Sequence, residues 1–476
     1  MSLIWLSHVL FNLLVFYWAI KIGRRRPRVP LIVFVWVAPY IGGNLIGGID
    51  LSFAPVNAVG FGIAYLALTD RIIDRVDTYN LRRRIYSYLK ICVLATVVGI
   101  GAVYLSSEYI DQWRQTPMER VIRGLGSEVL RWLLLFAPIV LARKERLLQK
   151  LLKHTIYAGL FYCALGLIQF GVNRVFNYDL FPMVREAVEG VGLVSQSTMS
   201  FGLDSRITSI CGEPRYFSAY CSLWFLIILI LGKRMGFTAR NKYFISGIFL
   251  LSLILSGSRS GLLILALVGL VAGIIAYYTG RLRIILPLLM TGLFVGLVFS
   301  VLITERLGSF GNRNDLSNSN YDGSGEMSLA VSGFRIPIEW QDAAGLTVLS
   351  KNPWQLVIGS GPGLWQYYIS PWDYKFVRIY FSDFEERGLD SIKSNIQVIS
   401  RLCDVGLIGM FSMVALLMAL YRYGKATISI QFRKEYMVSF GVFLTFLQIP
   451  GASDKLVYFM MGVMVQSYWI LGVDNK

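Results

Sequence analysis

The chain is poor in charge and almost without histidine. Charged residues make up 16% of its 476 positions, against about 25% in a soluble domain, so an ordinary water-facing surface cannot cover it. Two histidines, His8 and His154, leave no basis for a histidine-rich metal site or a Ser/His/Asp triad. Five cysteines, Cys92, Cys163, Cys211, Cys221 and Cys403, show neither paired nor metal-ligand spacing. Short segments of alternating hydrophobicity are missing, which argues against a transmembrane β-barrel. No small-residue cleavage site follows the first apolar run; Arg24-Arg25-Arg26 stands there instead, so a cleavable signal is not expected.

What the chain does have is long hydrophobic runs. Hydrophobic residues reach 55%, with a mean hydropathy of +0.56. The runs fall near 3–22, 29–49, 53–69, 87–106, 126–142, 155–172, 215–232, 243–257, 261–280, 284–303, 402–421, 436–450 and 456–472. Most approach the roughly 20 residues that cross a hydrocarbon core, and in lipid a helix satisfies its own backbone. The expectation is an all-α polytopic membrane protein with about 13 transmembrane helices (12–14). It divides into spans 1–10 over 1–303, with an outer loop at 173–214, a large partly helical loop at 304–395, and the last spans with the C-terminus at 396–476.

The net charge of +17 is distributed as topology demands and not as a nucleic-acid surface. Basic residues crowd the stretches Lys21–Arg28, Arg71–Arg84, Arg143–Lys153, Lys233–Lys242, Arg281/Arg283 and Arg422–Lys434. The alternate connections are poorer in Lys and Arg. The positive-inside rule then puts the basic set in the cytoplasm and 304–395 outside, facing the periplasm or exterior.

Four arginines fall on that outer side beside apolar segments: Arg206, Arg215 in Gly212-Glu213-Pro214-Arg215-Tyr216, Arg259 in Ser256-Gly257-Ser258-Arg259-Ser260-Gly261, and Arg335 after Ser332-Gly333-Phe334. A guanidinium at such a depth is costly unless it meets water or an anion, and its planar fork suits phosphate oxygens. Snorkelling to the interface is the alternative for each.

The large loop has its own order. Glu305–Gly325 is rich in Asn, Ser and Gly and reads as a mobile segment. Trp340, Ala343, Ala344, Thr347 and Val348 follow Arg335 at helical spacing. Ile358-Gly359-Ser360-Gly361-Pro362-Gly363 is glycine-rich but lacks the Lys-Ser/Thr of a P-loop. Trp365, Tyr367, Tyr368 and further aromatics to Phe384 stand beside Asp373, Asp383, Glu385 and Glu386. That mixture suits the apolar faces and hydroxyls of sugars, or an interfacial aromatic belt.

Together these pieces resemble the superfamily of bacterial O-antigen ligases and Wzy-type O-antigen or exopolysaccharide polymerases. The resemblance is carried, in the family's order over about 200–420, by Arg206 with Gly212-Glu213-Pro214-Arg215, Ser256 to Leu263, Ser332-Gly333-Phe334-Arg335 with Trp340, Asn352-Pro353 through Gly363, and Ser394-Asn395 through Asp404-Val405-Gly406-Leu407-Ile408-Gly409. It implies a GT-C-like membrane glycosyltransferase of the bacterial inner membrane, working at the periplasmic face without metal or cofactor. Its partners would be undecaprenyl-pyrophosphate-linked glycan donor and acceptor, membrane lipids, and a chain-length regulator and flippase of the same pathway; no nucleic acid is implied. Ligases of the superfamily carry a His-Asn pair late in the large loop, where Lys393-Ser394-Asn395 stands here. That departure favours joining of repeat units over transfer to lipid A core; transport remains a third reading. The resemblance assigns Arg206, Arg215, Arg259 and Arg335 to the pyrophosphates, with Trp340, Tyr367 and Tyr368 on the glycan. Glu213 is the carboxylate placed to take the acceptor proton, or else a structural partner of a nearby arginine.

Overall fold

A computed structural model describes residues 3–40, 45–46, 49–50, 55–69, 76–113, 115–181, 207–212, 214–232, 235–258, 326–331, 334–369, 397–426, 428, 430–448 and 455–473, with isolated positions at 261–269. The described chain is almost wholly helical. The helices are α1 (Leu3–Arg25), α2 (Arg28–Val37), α3 (Val56–Thr69), α4 (Val76–Ser106), α5 (Pro117–Leu141), α6 (Glu145–Phe176), α7 (Pro214–Leu231) and α8 (Ala239–Leu255). After them come α9 (Trp340–Lys351), α10 (Pro353–Ile358), α11 (Gln397–Ala426), α12 (Ile430–Gln448) and α13 (Lys455–Val473). Two antiparallel hairpins complete the set: β1 (Leu45–Ile46) with β2 (Ile49–Asp50), and β3 (Glu326–Val331) with β4 (Phe334–Glu339).

Among the described residues, five helices are long and apolar enough to cross a membrane: those at Thr78–Ser106, Pro117–Leu141, Glu145–Phe176, Pro214–Leu231 and Gln397–Ala426. The protein is therefore a helical membrane protein. Helices also coincide with the apolar runs at 3–22, 53–69, 243–257, 436–450 and 456–472. The run at 284–303 and nearly all of 261–280 lie outside the described residues, as do 304–325, expected to be mobile, and 370–396, with most of the aromatic-acidic tract.

The run at 29–49 departs from expectation. Its helix stops at Val37, with Ala38 still in α geometry and its N–H closing on Phe34 O at 2.8 Å, because Pro39 has no N–H to carry the next bond. Leu45 then pairs with Asp50 and Ile46 with Ile49, with only Gly47-Gly48 between them in sequence. Other helices overrun their expected ends. Arg82, Arg83 and Arg84 belong to the second and third turns of α4, and Arg146 to Lys153 to the start of α6, not to loops. At 31 residues, α4 is roughly 46 Å long at 1.5 Å per residue, longer than the ~30 Å hydrocarbon core.

Local signals set several ends. Thr116-Pro117-Met118-Glu119 starts α5 with a capping box: Thr116 Oγ1 accepts from Glu119 N–H at 3.3 Å, and Thr116 N–H donates to Glu119 Oε2 at 3.0 Å. Proline at the first helical position has no N–H to leave orphaned.

One large core joins α2, α3, α5, α7 and α13. Trp224 of α7 stacks between Tyr162 and Tyr220, with ring centroids at 6.0 and 5.8 Å, and Gly159 of α6 leaves the space its ring fills. Likewise Gly462 lets α13 approach the Leu135 carbonyl of α5. Small residues allow such backbone contact, which drives helix association where lipid is as apolar as the partner helix. A second, smaller core lies under α9. Ala344 and Val348 pack with Val103, Trp113, Leu364, Trp365, Tyr367, Ile399 and Cys403. The helix expected after Arg335 thus forms, with Ala343, Ala344 and Val348 buried.

Candidate functional site

Two convergences of sequence-distant segments stand out. The first gathers the motifs around Arg206, Arg215 and Arg259. Gln169, buried on α6, holds the segment following Arg206: its Oε1 accepts from Thr208 N–H at 2.9 Å and Ser209 N–H at 2.8 Å, while its amide donates to Asp179 Oδ1 at 2.8 Å. Ile207 N–H reaches Leu255 O at 3.4 Å, tying that segment to the end of α8. There the chain turns through Gly257, whose φ of +57° is left-handed and suits a residue without Cβ. Gly261 then lies against Ser218 of α7, and Ser222 Oγ donates to Gly261 O at 3.4 Å. Arg215 sits one turn before Ser218, in the first turn of α7, and its carbonyl accepts from Ser218 Oγ at 2.9 Å. Its own guanidinium is exposed, 5.0 Å over the Tyr216 ring and 3.2 Å from the Tyr216 hydroxyl.

Arg206, Glu213 and Arg259 themselves lie outside the described residues, each directly beside a described one. Arg335 is placed only by its backbone, in β4 opposite Ala330. Trp340 opens α9, and its side chain, like that of Arg335, is outside the description.

The second convergence joins the glycine-rich segment to α11. Within α11 the backbone leaves helical geometry at Gly406, at φ +60° and ψ −171°. A break of this kind strands carbonyls in the turn before it. The glycine-rich segment fills them: Ser360 N–H and Oγ both donate to Cys403 O at 2.9 Å, and Gly361 N–H donates to Asp404 O at 2.8 Å. Asp404 Oδ1 accepts from Gly363 N–H at 2.8 Å. Gly361 (φ +90°) faces Thr96 of α4, and Gly363 (φ +84°) faces Arg120 of α5. Ser360 and Pro362 abut Gly99 of α4 and Gly124 of α5, where any Cβ would strike a carbonyl. Two motifs some forty residues apart in sequence therefore form one wedge between three helices.

Inside the bundle, next to this wedge, sits a buried polar knot. Glu128 of α5 is 2% exposed and pairs with Arg401 of α11 and, at 3.3 Å, with Arg131. Its Oε1 also accepts from Tyr88 O–H at 3.0 Å and from Trp132 Nε1–H at 2.7 Å. Arg401 donates onward to the Tyr458 hydroxyl at 2.9 Å and the Tyr88 hydroxyl at 3.3 Å. The knot joins α4, α5, α11 and α13. A charge inside a membrane bundle stays ionised only when paired and hydrogen-bonded this fully. The available signal was a glutamate inside one apolar run and an arginine at the mouth of another.

Tyr367 is not an open platform for sugar. It is buried, donates its hydroxyl to Gln115 O at 2.6 Å, and receives Ser107 Oγ–H on its carbonyl. Burial pushes its phenol up to about 12. Tyr368 is half-buried beside Trp354, with ring centroids at 6.1 Å, and burial raises it to about 12 as well. Both lie in the 3₁₀ turn Trp365–Tyr368, which Tyr367 fastens to the connection between α4 and α5.

No family model and no curated protein sequence matches the chain. The site is therefore read from its own residues.

Proposed function

We propose that the protein is a metal-independent membrane glycosyltransferase that joins undecaprenyl-pyrophosphate-linked oligosaccharide repeats into O-antigen or exopolysaccharide at the periplasmic face of the inner membrane. The observation that carries this reading is the first convergence. Segments adjoining Arg206, Arg215 and Arg259 are knitted together at the start of α7, with Arg215 exposed. Fixed guanidinium groups there would stabilise the charge that develops on a departing pyrophosphate. Glu213, adjacent to the helix start, is the proposed base for the acceptor hydroxyl. Arg335 and Trp340 would come from the hairpin and helix of the large loop.

The test is purified protein supplied with lipid-linked repeats and, separately, with lipid A core as acceptor. A ladder of repeats supports polymerisation, and one transfer to lipid A core supports the ligase reading instead. Folded Arg259→Ala protein with undiminished product would remove the arginine site. For Glu213→Gln, an unchanged pH–rate profile at wild-type turnover would remove it as the base.

One observation favours a second reading, transport. Ionisable residues inside a bundle often mark substrate or ion paths, and Glu128 and Arg401 are such residues. The saturation of both by Tyr88, Trp132, Tyr458 and Arg131 weighs toward a structural role. Movement of lipid-linked repeats across proteoliposomes without sugar transfer would favour transport.

A further inference from the structure

The outward face of α4 carries two chemistries in series. Its inward stripe, Leu81, Ile85, Tyr88 and Cys92, is buried at helical spacing. Opposite lie Tyr79, Arg82, Arg83, Tyr86, Ser87 and Lys90, which line an open groove of about 280 Å³. Arg82 is held between two aromatic rings, 5.8 Å over Tyr79 and 5.9 Å over Tyr86. Stacking of this kind pre-orients a guanidinium and leaves its donor edge for an oxyanion. None of the six lining residues is acidic, so a bound anion meets three cations and no opposing charge from the lining.

The same face then changes character. Val93, Leu94, Val97 and Val98 continue it at the same helical spacing, and all are exposed, Leu94 by 59% and Val97 by 65%. Only a third of the apolar window of α4 is buried in the protein, 33%. Exposed apolar side chains on a spanning helix belong against acyl chains.

We propose that this face of α4 is a specific binding site for an anionic phospholipid. Arg82, Arg83 and Lys90 take the headgroup phosphate, Tyr79 and Tyr86 flank it, and the Val93–Val98 stripe receives the tails. A free phosphate would use the groove but not the stripe; the continuity of the two commits the site to a lipid. Basic residues at the end of a spanning helix attract the anionic leaflet generically, and the aromatic clamp around Arg82 is what adds selectivity. The site depends on α4 crossing the membrane and is independent of the glycan-transfer reading.

The test is native mass spectrometry of the full chain in detergent, titrated with cardiolipin, phosphatidylglycerol or phosphatidylcholine. Retention of one or two cardiolipin or phosphatidylglycerol molecules, with phosphatidylcholine lost, is expected. Arg82→Gln/Arg83→Gln should weaken retention by roughly thirtyfold, each basic residue contributing a factor of about five. Arg24→Gln/Arg25→Gln, the same charge change at the end of α1, should leave it intact. Equal retention of phosphatidylcholine, equal retention by the Arg82/Arg83 variant, or displacement by millimolar inorganic phosphate would each overturn the proposal. Should the double variant fail to fold, photo-crosslinking of wild-type protein with a headgroup-labelled phosphatidylglycerol decides it: adducts on 79–90 support the site, and adducts spread over other helices refute it.

Discussion

Arg401 and Arg215 are the same side chain under opposite treatment. Arg401 lies inside the helical bundle at 6% exposure, paired with Glu128 and bonded to Tyr88 and Tyr458. Arg215 stands in the first turn of α7, exposed, with its guanidinium over Tyr216. The first spends its charge on holding four helices together; the second keeps its charge turned outward. An arginine saturated by its own protein has nothing left for a ligand, so burial separates structural cations from candidate catalytic ones better than residue type does.

The sharpest way to break this contrast is to remove Glu128. Glu128→Ala leaves the Arg401 charge buried and only partly compensated, and should cost about 3–5 kcal/mol, read as a large drop in detergent melting temperature. The double change Glu128→Leu/Arg401→Met removes both charges and should recover most of that loss. If the single change melts like wild type, the knot is not structural and the transport reading gains.

Arg215→Ala should do the opposite. Its melting temperature should stay near wild type, because an exposed position is usually worth within about 0.5 kcal/mol. Turnover of lipid-linked repeats should fall on the order of a hundredfold to a thousandfold. A destabilised Arg215→Ala protein would erase the distinction between the two arginines.

A smaller effect is expected at the wedge. Gly406→Ala places a Cβ at positive φ against the Val357 carbonyl and should cost about 1–3 kcal/mol. Limited proteolysis should then cut near 352–369 faster, as the glycine segment loosens from α11.

The smallest concerns Tyr367, whose folded pKa, about 12, stands above the ordinary 10.0. A raised folded value means its contribution to stability is full below pH 10 and declines as pH climbs from 10 toward 12, because the unfolded chain ionises first. Tyr367→Phe should remove that alkaline loss and cost about 0.5–1.5 kcal/mol at neutral pH through the missing bond to Gln115 O. Unfolding followed against pH for both proteins checks the sign.

Much of this architecture could be read along the chain. The apolar runs located helices because a lipid-facing helix must be hydrophobic nearly throughout, and Pro39 marks why one run fell short. The helix after Arg335 was legible from the spacing of Ala343, Ala344, Thr347 and Val348. The candidate site was legible only as separate motifs. Nothing in the spacing of Gly359-Ser360-Gly361-Pro362-Gly363 announces that it completes the hydrogen bonds of a helix broken at Gly406. The setting of Tyr367 is hidden for a related reason: an aromatic next to carboxylates looks the same in sequence whether its hydroxyl faces a sugar or Gln115.

Hydrophobic length and the side on which basic residues gather are properties of single segments, so they establish a membrane protein and propose its orientation without any contact being known. Partnership is different. Which arginine is neutralised by Glu128, which carbonyls a glycine segment must fill, and which tyrosine ends up buried depend on what another helix brings within about 3 Å. Those outcomes follow from how α4, α5, α11 and α13 pack around a buried ion pair and how the glycine segment and the Trp365–Tyr368 turn dock beside them, and no segment carries them alone.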